Sequence, residues 1–339
     1  CTETSVPDDN FEAYLETHNE FGGTVALGSS NSLGNGIIDD HLVPTGKIEA
    51  IQLLTPRNEG IEDFTGIEDF KNLIRFWADN NTLTNTDLDL RDNTLLESIT
   101  LENTGITSLN INGLTVLEGV EVANNSLTSV DISTNMGLKF LNVGDNDLTS
   151  LDISNNDLTS LTVTNNRLGT IDVSNQANLT SLYCENTNIT SLNIVNNPLL
   201  ENLECGLNPL TTLQVTHLSE LRYLSFSSTS ISEIDLSNNI NLSTLECDST
   251  PLTYLDLVKQ NTLDNLSCKN SLLTGLNLRS GNNTDLDNVD VTGNPSLTCI
   301  EVDDPAAAAL LGTWLKDVTA NYAEFCRMTY VPDDGFETF

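Results

Sequence analysis

The feature that most constrains this chain is a repeat of about 21 residues. It carries the pattern L-x-x-L-x-V or L-x-x-L-x-C, whose last apolar position recurs at spacings of 21, 21, 20, 21, 21, 21, 21, 21 and 23 residues. These positions are Leu101, Val122, Val143, Val163, Cys184, Cys205, Phe226, Cys247, Cys268 and Val291. One repeat is too short to bury its apolar face alone, so consecutive repeats must stack as the coils of a solenoid.

A second apolar stripe follows ten residues after the first and runs in step with it. Its members are Ile111, Ile132, Ile153, Val173, Ile194, Val215, Leu236, Leu257 and Leu278. Apolar and polar residues alternate around both stripes, as in Leu182-Tyr183-Cys184, which is typical of a short strand with one buried face. We therefore expect a right-handed parallel solenoid with two strands in each coil.

A third position, three residues after the first stripe, carries only hydroxyl or amide side chains. Its members are Thr104, Asn125, Asn146, Asn166, Thr187, Asn208, Thr229, Thr250 and Ser271. A buried turn must satisfy its backbone N–H and C=O groups. We expect these side chains to do so by hydrogen bonding to the coils on either side.

The combined pattern, L-x-x-L-x-C-x-x-N-x-L-T-x-L-D-V-S, resembles the leucine-rich repeats of Bacteroidota surface proteins, with an internalin-like arrangement, over residues 48–300. The resemblance implies a mostly β fold: a parallel leucine-rich-repeat solenoid with about 21-residue turns, a helical N-terminal cap and a C-terminal cap. It specifies the fold more than the function, because such solenoids serve many functions.

Both ends of a solenoid need caps, since the terminal coils otherwise expose apolar faces. At the front, Asp9 and Glu12 have the spacing of a capping box and predict a helix start. At the back, the alanines after Asp304-Pro305 predict a closing helix that includes Trp314. The predicted parts are an N-terminal cap at 1–47, the solenoid at 48–302, a C-terminal cap at 303–326 and a further segment at 327–339.

The last segment repeats the first. Cys1, the Val-Pro-Asp-Asp run and Phe11-Glu12 recur at a constant offset of 325 residues, beginning at Cys326. We interpret residues 327–339 as the start of a following module in a tandem array, in which neighbouring copies of the module are the partners. The alternative is that Cys1 is the lipid-modified first residue of a surface lipoprotein.

The chain has seven cysteines. Four occupy the first stripe and are expected to be buried thiols acting as small hydrophobes: Cys184, Cys205, Cys247 and Cys268. Cys299 and Cys326 are expected to form a disulfide that closes the C-terminal cap and contributes about 3 kcal/mol. A disulfide requires an oxidising compartment, so we expect an extracellular or outer-membrane-surface location.

The charge excludes several classes of partner. The formal net charge is −36, from 49 acidic and 13 basic residues. Such a field repels phosphate backbones, so nucleic acid is not an expected partner.

No run approaches the roughly 20 apolar residues of a membrane span. The three histidines are far apart in sequence and no nucleophile motif accompanies them, so we expect no enzymatic activity.

A ladder of acids precedes the second stripe at Asp131, Asp152 and Asp172. Stacked coils would place these carboxylates about 5 Å apart, close enough to repel each other. One interpretation is local compensation by the serines that follow and by water. The other is a bound Ca²⁺ ion, the only cofactor that the sequence would support, since calcium takes six to eight oxygen ligands.

Exposed aromatics and acids alternate with the first stripe and indicate a recognition surface for a protein or a glycan. The candidate binding residues are Phe140, Tyr183, Tyr223, Glu204 and Glu246. The sequence therefore predicts a non-catalytic, extracellular structural or adhesive module of a tandem-array cell-surface or filament protein. The alternative function is a lipid-anchored surface lipoprotein that binds a glycan or peptide.

Overall fold

The chain folds as a parallel leucine-rich-repeat solenoid of about 13 turns, described by a computed structural model for residues 2–283 and 286–326. One short strand from each turn joins a 13-stranded parallel sheet, called here the main sheet. In a typical strand the central leucine is buried and its two neighbours face outward. The strands are Leu53–Leu54, Arg75–Trp77, Ser98–Thr100, Gly119–Glu121, Phe140–Asn142, Ser160–Thr162, Ser181–Tyr183, Asn202–Glu204, Tyr223–Ser225, Thr244–Glu246, Asn265–Ser267, Asn288–Val291 and Trp314–Lys316.

The second stripe forms strands only toward the two ends of the solenoid, so the expectation of two strands in every coil is wrong. The strands that do form are Asp87–Asp89, Ser108–Asn110, Tyr254–Asp256, Gly275–Asn277, Cys299–Glu301 and Asn321–Ala323. Between residues 112 and 253, all of which the structure describes, the stripe residues are buried but no strand forms around them. A cavity of 230 Å³ lies between two adjacent coils of this stretch and is lined by Leu213, Val215 and Ile234.

Hydroxyl and amide side chains join the coils as the sequence predicted. The Nδ2 of Asn146 donates to the carbonyls of Val122 in the preceding coil and Val143 in its own, at 3.0 and 3.1 Å. Its Oδ1 accepts the N–H of Leu127 at 2.9 Å. Asn125, Asn166, Asn208 and Asn294 make corresponding bonds. This first amide row satisfies backbone groups that would otherwise be buried without partners.

A second amide row, which the sequence analysis did not predict, lies on the segment after the second stripe. Its members are Asn93, Asn135, Asn156, Gln176, Asn197, Asn239 and Gln260. Each donates to carbonyls of the preceding coil, as Asn135 does to Ile111 and Leu114 at 2.9 and 3.0 Å. Because the Oδ1 atoms of the five asparagines find no hydrogen-bond partner within the described residues, this row acts mainly as a donor.

Gln176 differs from its neighbours in this row because its side chain supplies a hydrogen-bond acceptor to a shortened turn in the preceding coil. The coil before it lacks one residue, which produces the single spacing of 20 in the repeat. In full-length turns the N–H of the following leucine bonds to a backbone carbonyl, as Leu242 does to Asn239. In the shortened turn the N–H of Leu158 donates instead to Oε1 of Gln176, at 2.8 Å.

The four core cysteines lie where the stripe predicted. Cys184, Cys205, Cys247 and Cys268 are fully buried free thiols. Burial raises the pKa of the Cys205 thiol to about 12 and that of Cys184 well above its ordinary value. A protonated, enclosed thiol packs as a small apolar group.

The N-terminal cap contains the predicted helix, at Asp9–Thr17, but its capping residue is Asp8 rather than Asp9. Asp8 has an extended backbone, and its Oδ1 accepts the N–H of Phe11 at 2.7 Å. Its Oδ2 accepts the N–H groups of Glu62 and Asp63, which ties the cap to the first coils. Glu12 does not complete a capping box, because it is buried and accepts the N–H of Asp39.

Short elements complete the N-terminal region. Glu3–Ser5 pairs antiparallel with Leu42–Pro44. A one-turn helix at Thr45–Ile48 and a 3₁₀ helix at Ile67–Asp69 lead into the first coils. Phe11 lies fully buried against Phe64 and Phe70, so the cap helix covers the apolar end of the solenoid as expected.

The C-terminal segment is a further coil rather than a closing helix. Only Pro305–Ala308 is helical, and the predicted helix through Trp314 is wrong. Trp314–Lys316 continues the main sheet and Asn321–Ala323 continues the second, so the repeat extends past residue 302. The Trp314 indole N–H donates to the carbonyl of Leu286 at 2.8 Å, which fixes this coil.

The expected disulfide between Cys299 and Cys326 is present, and residues 327–339 lie outside the described residues.

Replacing Gln176 with asparagine tests the repair of the shortened turn. The shorter side chain withdraws the acceptor from the buried N–H of Leu158, so the free energy of unfolding should fall by about 1–3 kcal/mol. Urea unfolding of the wild type and variant measures this loss. Gln260→Asn is the matched control, because the turn in the coil before Gln260 is full-length and asparagine, at Asn239, holds the same place there. Equal losses in both variants would contradict the special role of Gln176.

Candidate binding face

The exposed face of the main sheet is the broadest regular surface of the molecule. Each strand presents its first and third residues outward, and the residue just after the first stripe extends the same surface. Acidic side chains recur along this face and its rim. They include Asp79, Glu102, Glu121, Glu185, Glu204, Glu246, Asp248 and Asp290. The extended exposed faces of solenoids are the surfaces that such proteins use for binding.

Four of the five predicted binding residues lie together near the middle of this face. Tyr183 is the cross-strand neighbour of Glu204, and Ser225 separates Glu204 from Glu246 in the same row. Tyr223 lies diagonally across from Glu246, and its hydroxyl donates to the Glu246 carboxylate at 3.0 Å. Neighbours on one face of a sheet are close enough for direct contact. The four residues therefore form one cluster, called here the Tyr–Glu cluster.

The carboxylates in and beside the Tyr–Glu cluster repel one another. Partial burial, then the nearby carboxylates of Glu185 and Glu246, raise the pKa of Glu204. Burial, together with the hydrogen bond to the Glu246 carboxylate, raises the pKa of the Tyr223 hydroxyl. Each shift disfavours a further negative charge at this place. A cation bound here would relieve the repulsion.

Phe140, the fifth predicted residue, lies on the same face but apart from the cluster. Its strand is separated from Ser181–Tyr183 by the strand Ser160–Thr162. With neighbouring strands about 4.8 Å apart, it is about 10 Å from the Tyr183 strand. Its side chain is 56% exposed, so it is available to a ligand that spans several strands.

A second polar and aromatic group, which the sequence analysis missed, lies at the N-terminal end of the face. The Arg57 guanidinium bonds to Asp79 at 2.8 Å and lies 5.0 Å from the centre of the Trp77 ring. Burial, then the carboxylates of Glu121 and Asp79, raise the pKa of nearby Glu102. The loose repeat register before Leu101 hid this group in the sequence, since neither Arg57 nor Trp77 follows a regular spacing.

The ladder of Asp131, Asp152 and Asp172 lies away from the main sheet, and each carboxylate has a local partner. The Oδ1 atoms accept the backbone N–H groups of Ser133, Ser154 and Ser174 at 2.9–3.0 Å. Hydrogen bonds from the side chains of these serines, and then from their backbone N–H groups, lower the pKa of all three carboxyls. In the part of the chain that the structure describes, no group of three or more His, Cys, Asp or Glu side chains is placed to hold a metal ion. The calcium hypothesis therefore gains no support.

The three histidines are separated in the structure as in the sequence. His18 stacks on Tyr14 in the cap, and His41 lies 3.6 Å from Asp9. The ring Nε2 of His217 is 2.8 Å from the carbonyl oxygen of Ile194, where it takes the place of an amide in the second row. Across residues 2–283 and 286–326, no helix has the length and apolar character needed to cross a bilayer.

Comparison with known proteins supports the fold. The functional domain of InlJ from Listeria monocytogenes, described as including a cysteine ladder, is 25% identical with a TM-score of 0.65, covering 93% of this chain and 81% of that one. A leucine-rich-repeat protein of Leptospira interrogans is 22% identical with a TM-score of 0.56, covering 81% and 80%. A leucine-rich-repeat protein of Bacteroides eggerthii is 16% identical with a TM-score of 0.60, covering 83% and 59%.

No protein-family model matches the chain, and no curated protein matches its sequence. The likeness is therefore one of architecture. The InlJ domain is described as including a cysteine ladder, and this chain has buried cysteines at one core position of its repeats, at Cys184, Cys205, Cys247 and Cys268. The chain has the leucine-rich-repeat fold of the internalin-like solenoids that it resembles.

Proposed function

We propose that this chain is a non-catalytic, extracellular binding module that captures a basic segment of a protein partner on the exposed face of its main sheet. The carrying observation is the succession of carboxylates on that face: partial burial, and then the neighbouring carboxylates, raise the pKa of both Glu102 and Glu204. Lysine and arginine side chains would relieve this repulsion. The disulfide between Cys299 and Cys326 supports an extracellular location, because such bonds persist in oxidising compartments.

A basic peptide fits this surface better than a neutral glycan. The formal net charge of −36 attracts cations at long range and speeds their encounter with the face. Tyr183, Tyr223 and Phe140 supply aromatic surface on which guanidinium or ammonium groups stack. A neutral sugar would use the aromatic rings but leave the carboxylate repulsion in place.

Octalysine is a suitable probe of the proposed binding. We expect it to bind the wild type with an affinity that falls steeply as salt is added, because exposed charge pairs are screened. The double variant Glu204→Gln and Glu246→Gln should weaken binding about tenfold, since two charges leave the centre of the face. Fluorescence anisotropy of labelled peptide measures both effects.

The control removes the same charge elsewhere. Asp152→Asn with Asp172→Asn lies on the second stripe, away from the main sheet, and asparagine Oδ1 still accepts the serine N–H groups. Octalysine affinity should stay close to that of the wild type. An equal loss in both double variants would mean that the peptide responds only to net charge, and the proposal would fail.

Acidity gives a second readout of the same interaction. Glu204 attracts a cation only when it is ionised, and its pKa is raised. Binding should therefore be complete at neutral pH and weaken as the pH falls through the raised pKa, above the range of an ordinary glutamate. The Glu204→Gln variant should lose this part of the pH dependence, and an unchanged profile would contradict the assignment.

A second proposal concerns how such modules are arranged. We propose that the chain is one unit of a tandem surface array of the Bacteroidota type, because residues 326–339 repeat residues 1–14 in sequence. The closing coil supports this arrangement, since it exposes Leu310, Val318 and Phe325 to 86, 98 and 66%. Apolar groups exposed together at one end of a solenoid are typical of a surface that another element covers.

The coding sequence tests the array directly. The codons after Phe339 should continue into a second cap that matches Leu15 onward, and then into a second set of 21-residue repeats. A stop codon directly after Phe339, or an unrelated sequence there, would contradict the array and favour the lipoprotein alternative. The octalysine result is independent of this outcome.

A further inference from the structure

One residue breaks a regular column at the rim of the binding face. Two residues after the first stripe, each coil from that of Leu101 to that of Cys268 has a residue with a positive φ, between 51 and 58°. The members of this column other than Leu207 are Asn103, Asn124, Asp145, Asn165, Asn186, Ser228, Ser249 and Asn270. Leu207 occupies the same place with a φ of 51°.

The fold imposes this backbone conformation on whichever residue lies there. The N–H of Leu207 donates to the carbonyl of Ser227 in the next coil at 2.8 Å, as the N–H of Asn186 does to Gly206. Asparagine and aspartate tolerate the left-handed region because their short polar side chains bond locally, whereas a leucine side chain is strained there. Leucine is thus the least favourable residue for stability in this column.

Leu207 also ends a run of side-chain hydrogen bonds within the column. The Nδ2 of Asn186 donates to Oδ1 of Asn165 at 2.8 Å, and the Nδ2 of Asn165 donates to Asp145 at 2.7 Å. The ladder stops at Leu207, whose side chain is 51% exposed. A strained, exposed apolar residue in an otherwise polar column points to a role in binding rather than in folding.

The residue before Leu207 is packed tightly against the next coil. A Cβ atom at Gly206 would lie 2.8 Å from the carbonyl oxygen of Ser227 and 3.6 Å from the Glu185 carboxylate. The position is therefore restricted to glycine, and Leu207 supplies the apolar side chain at this place in the coil. Leu207 lies three residues after Glu204 of the Tyr–Glu cluster.

We propose that Leu207 is the apolar anchor of the binding face and selects partners in which a basic segment carries one large apolar side chain. This inference rests on the proposed function and specifies its ligand. The lysines or arginines of the segment pair with Glu185 and Glu204. The apolar side chain of the segment packs on Leu207.

Two peptides of equal charge separate the apolar contact from the electrostatic one. Each has four lysines on either side of a central residue, which is leucine in one and glycine in the other. The wild type should bind the leucine peptide about threefold more tightly or better, because the leucine buries apolar surface on Leu207. Leu207→Asn should abolish this preference and leave the affinity for the glycine peptide within about twofold.

Asparagine is the residue that the column favours, so Leu207→Asn should also unfold at a higher temperature than the wild type. Leu199→Asn is the control, since Leu199 is 44% exposed outside the binding face and lacks a positive φ. It should keep the preference for the leucine peptide. No preference in the wild type, or a preference that persists in Leu207→Asn, would overturn the anchor.

These outcomes are distinct from failure of the proposed function. If Glu204→Gln with Glu246→Gln weakens both peptides while Leu207→Asn keeps the leucine preference, the acidic face binds but Leu207 is not its anchor. If the glutamate variants leave both affinities unchanged, the acidic face is not the binding site, and the anchor fails with it.

Discussion

The hydrogen bonds that asparagine side chains make between coils are the interaction on which the rest of this structure depends. A solenoid turn leaves backbone N–H and C=O groups in the core, where an unpaired group costs about 1–3 kcal/mol. One amide side chain can pair both kinds of backbone group. The Nδ2 of Asn146 donates to the carbonyl of Val122, and its Oδ1 accepts the N–H of Leu127. Because its reach is short, it also fixes the spacing and register of adjacent coils.

The fixed register determines what the outer surface can do. Each strand of the main sheet is aligned residue for residue with the next, so Tyr183, Glu204, Ser225 and Glu246 form one row. Carboxylates that recur in a repeat therefore become neighbours in space. Partial burial, and then these neighbouring carboxylates, raise the pKa of Glu204, and the proposed basic partner would relieve the repulsion among them.

The sequence predicts the parts of this fold that repeat and fails where the pattern depends on three-dimensional distances. Both stripes, the first amide row and the pairing of Cys299 with Cys326 follow from periodicity. The second amide row escaped notice because asparagine is equally common in exposed turns, and only burial distinguishes Asn197 from Asn196. The missing strands of the second stripe have no signature in the pattern, since Leu151-Asp152-Ile153 alternates as Leu255-Asp256-Leu257 does and only the latter overlaps a strand.

The ends and the candidate site show the same limit. An alanine-rich segment favours a helix locally, yet Trp314 gains more by joining the main sheet and burying its indole. The alternation of residues identified Tyr183 and Tyr223 as exposed, but only the register showed which of them contacts Glu246. Leu207 is the one leucine in a polar column of the repeat, but only the positive φ in the structure shows that its backbone is strained.

Native-state hydrogen exchange tests the role of the amide row most directly. The N–H groups of Leu127 and Leu148 bond to the Oδ1 atoms of Asn146 and Asn166, both at 2.9 Å, and to no strand. If these side chains hold the coils together, both amides should exchange as slowly as those of the main-sheet strands, and Asn146→Ser should release Leu127 far more than Leu148. Rapid exchange of Leu127 and Leu148 in the wild type, at rates typical of exposed turns, would contradict the claim that the amide row sets the structure.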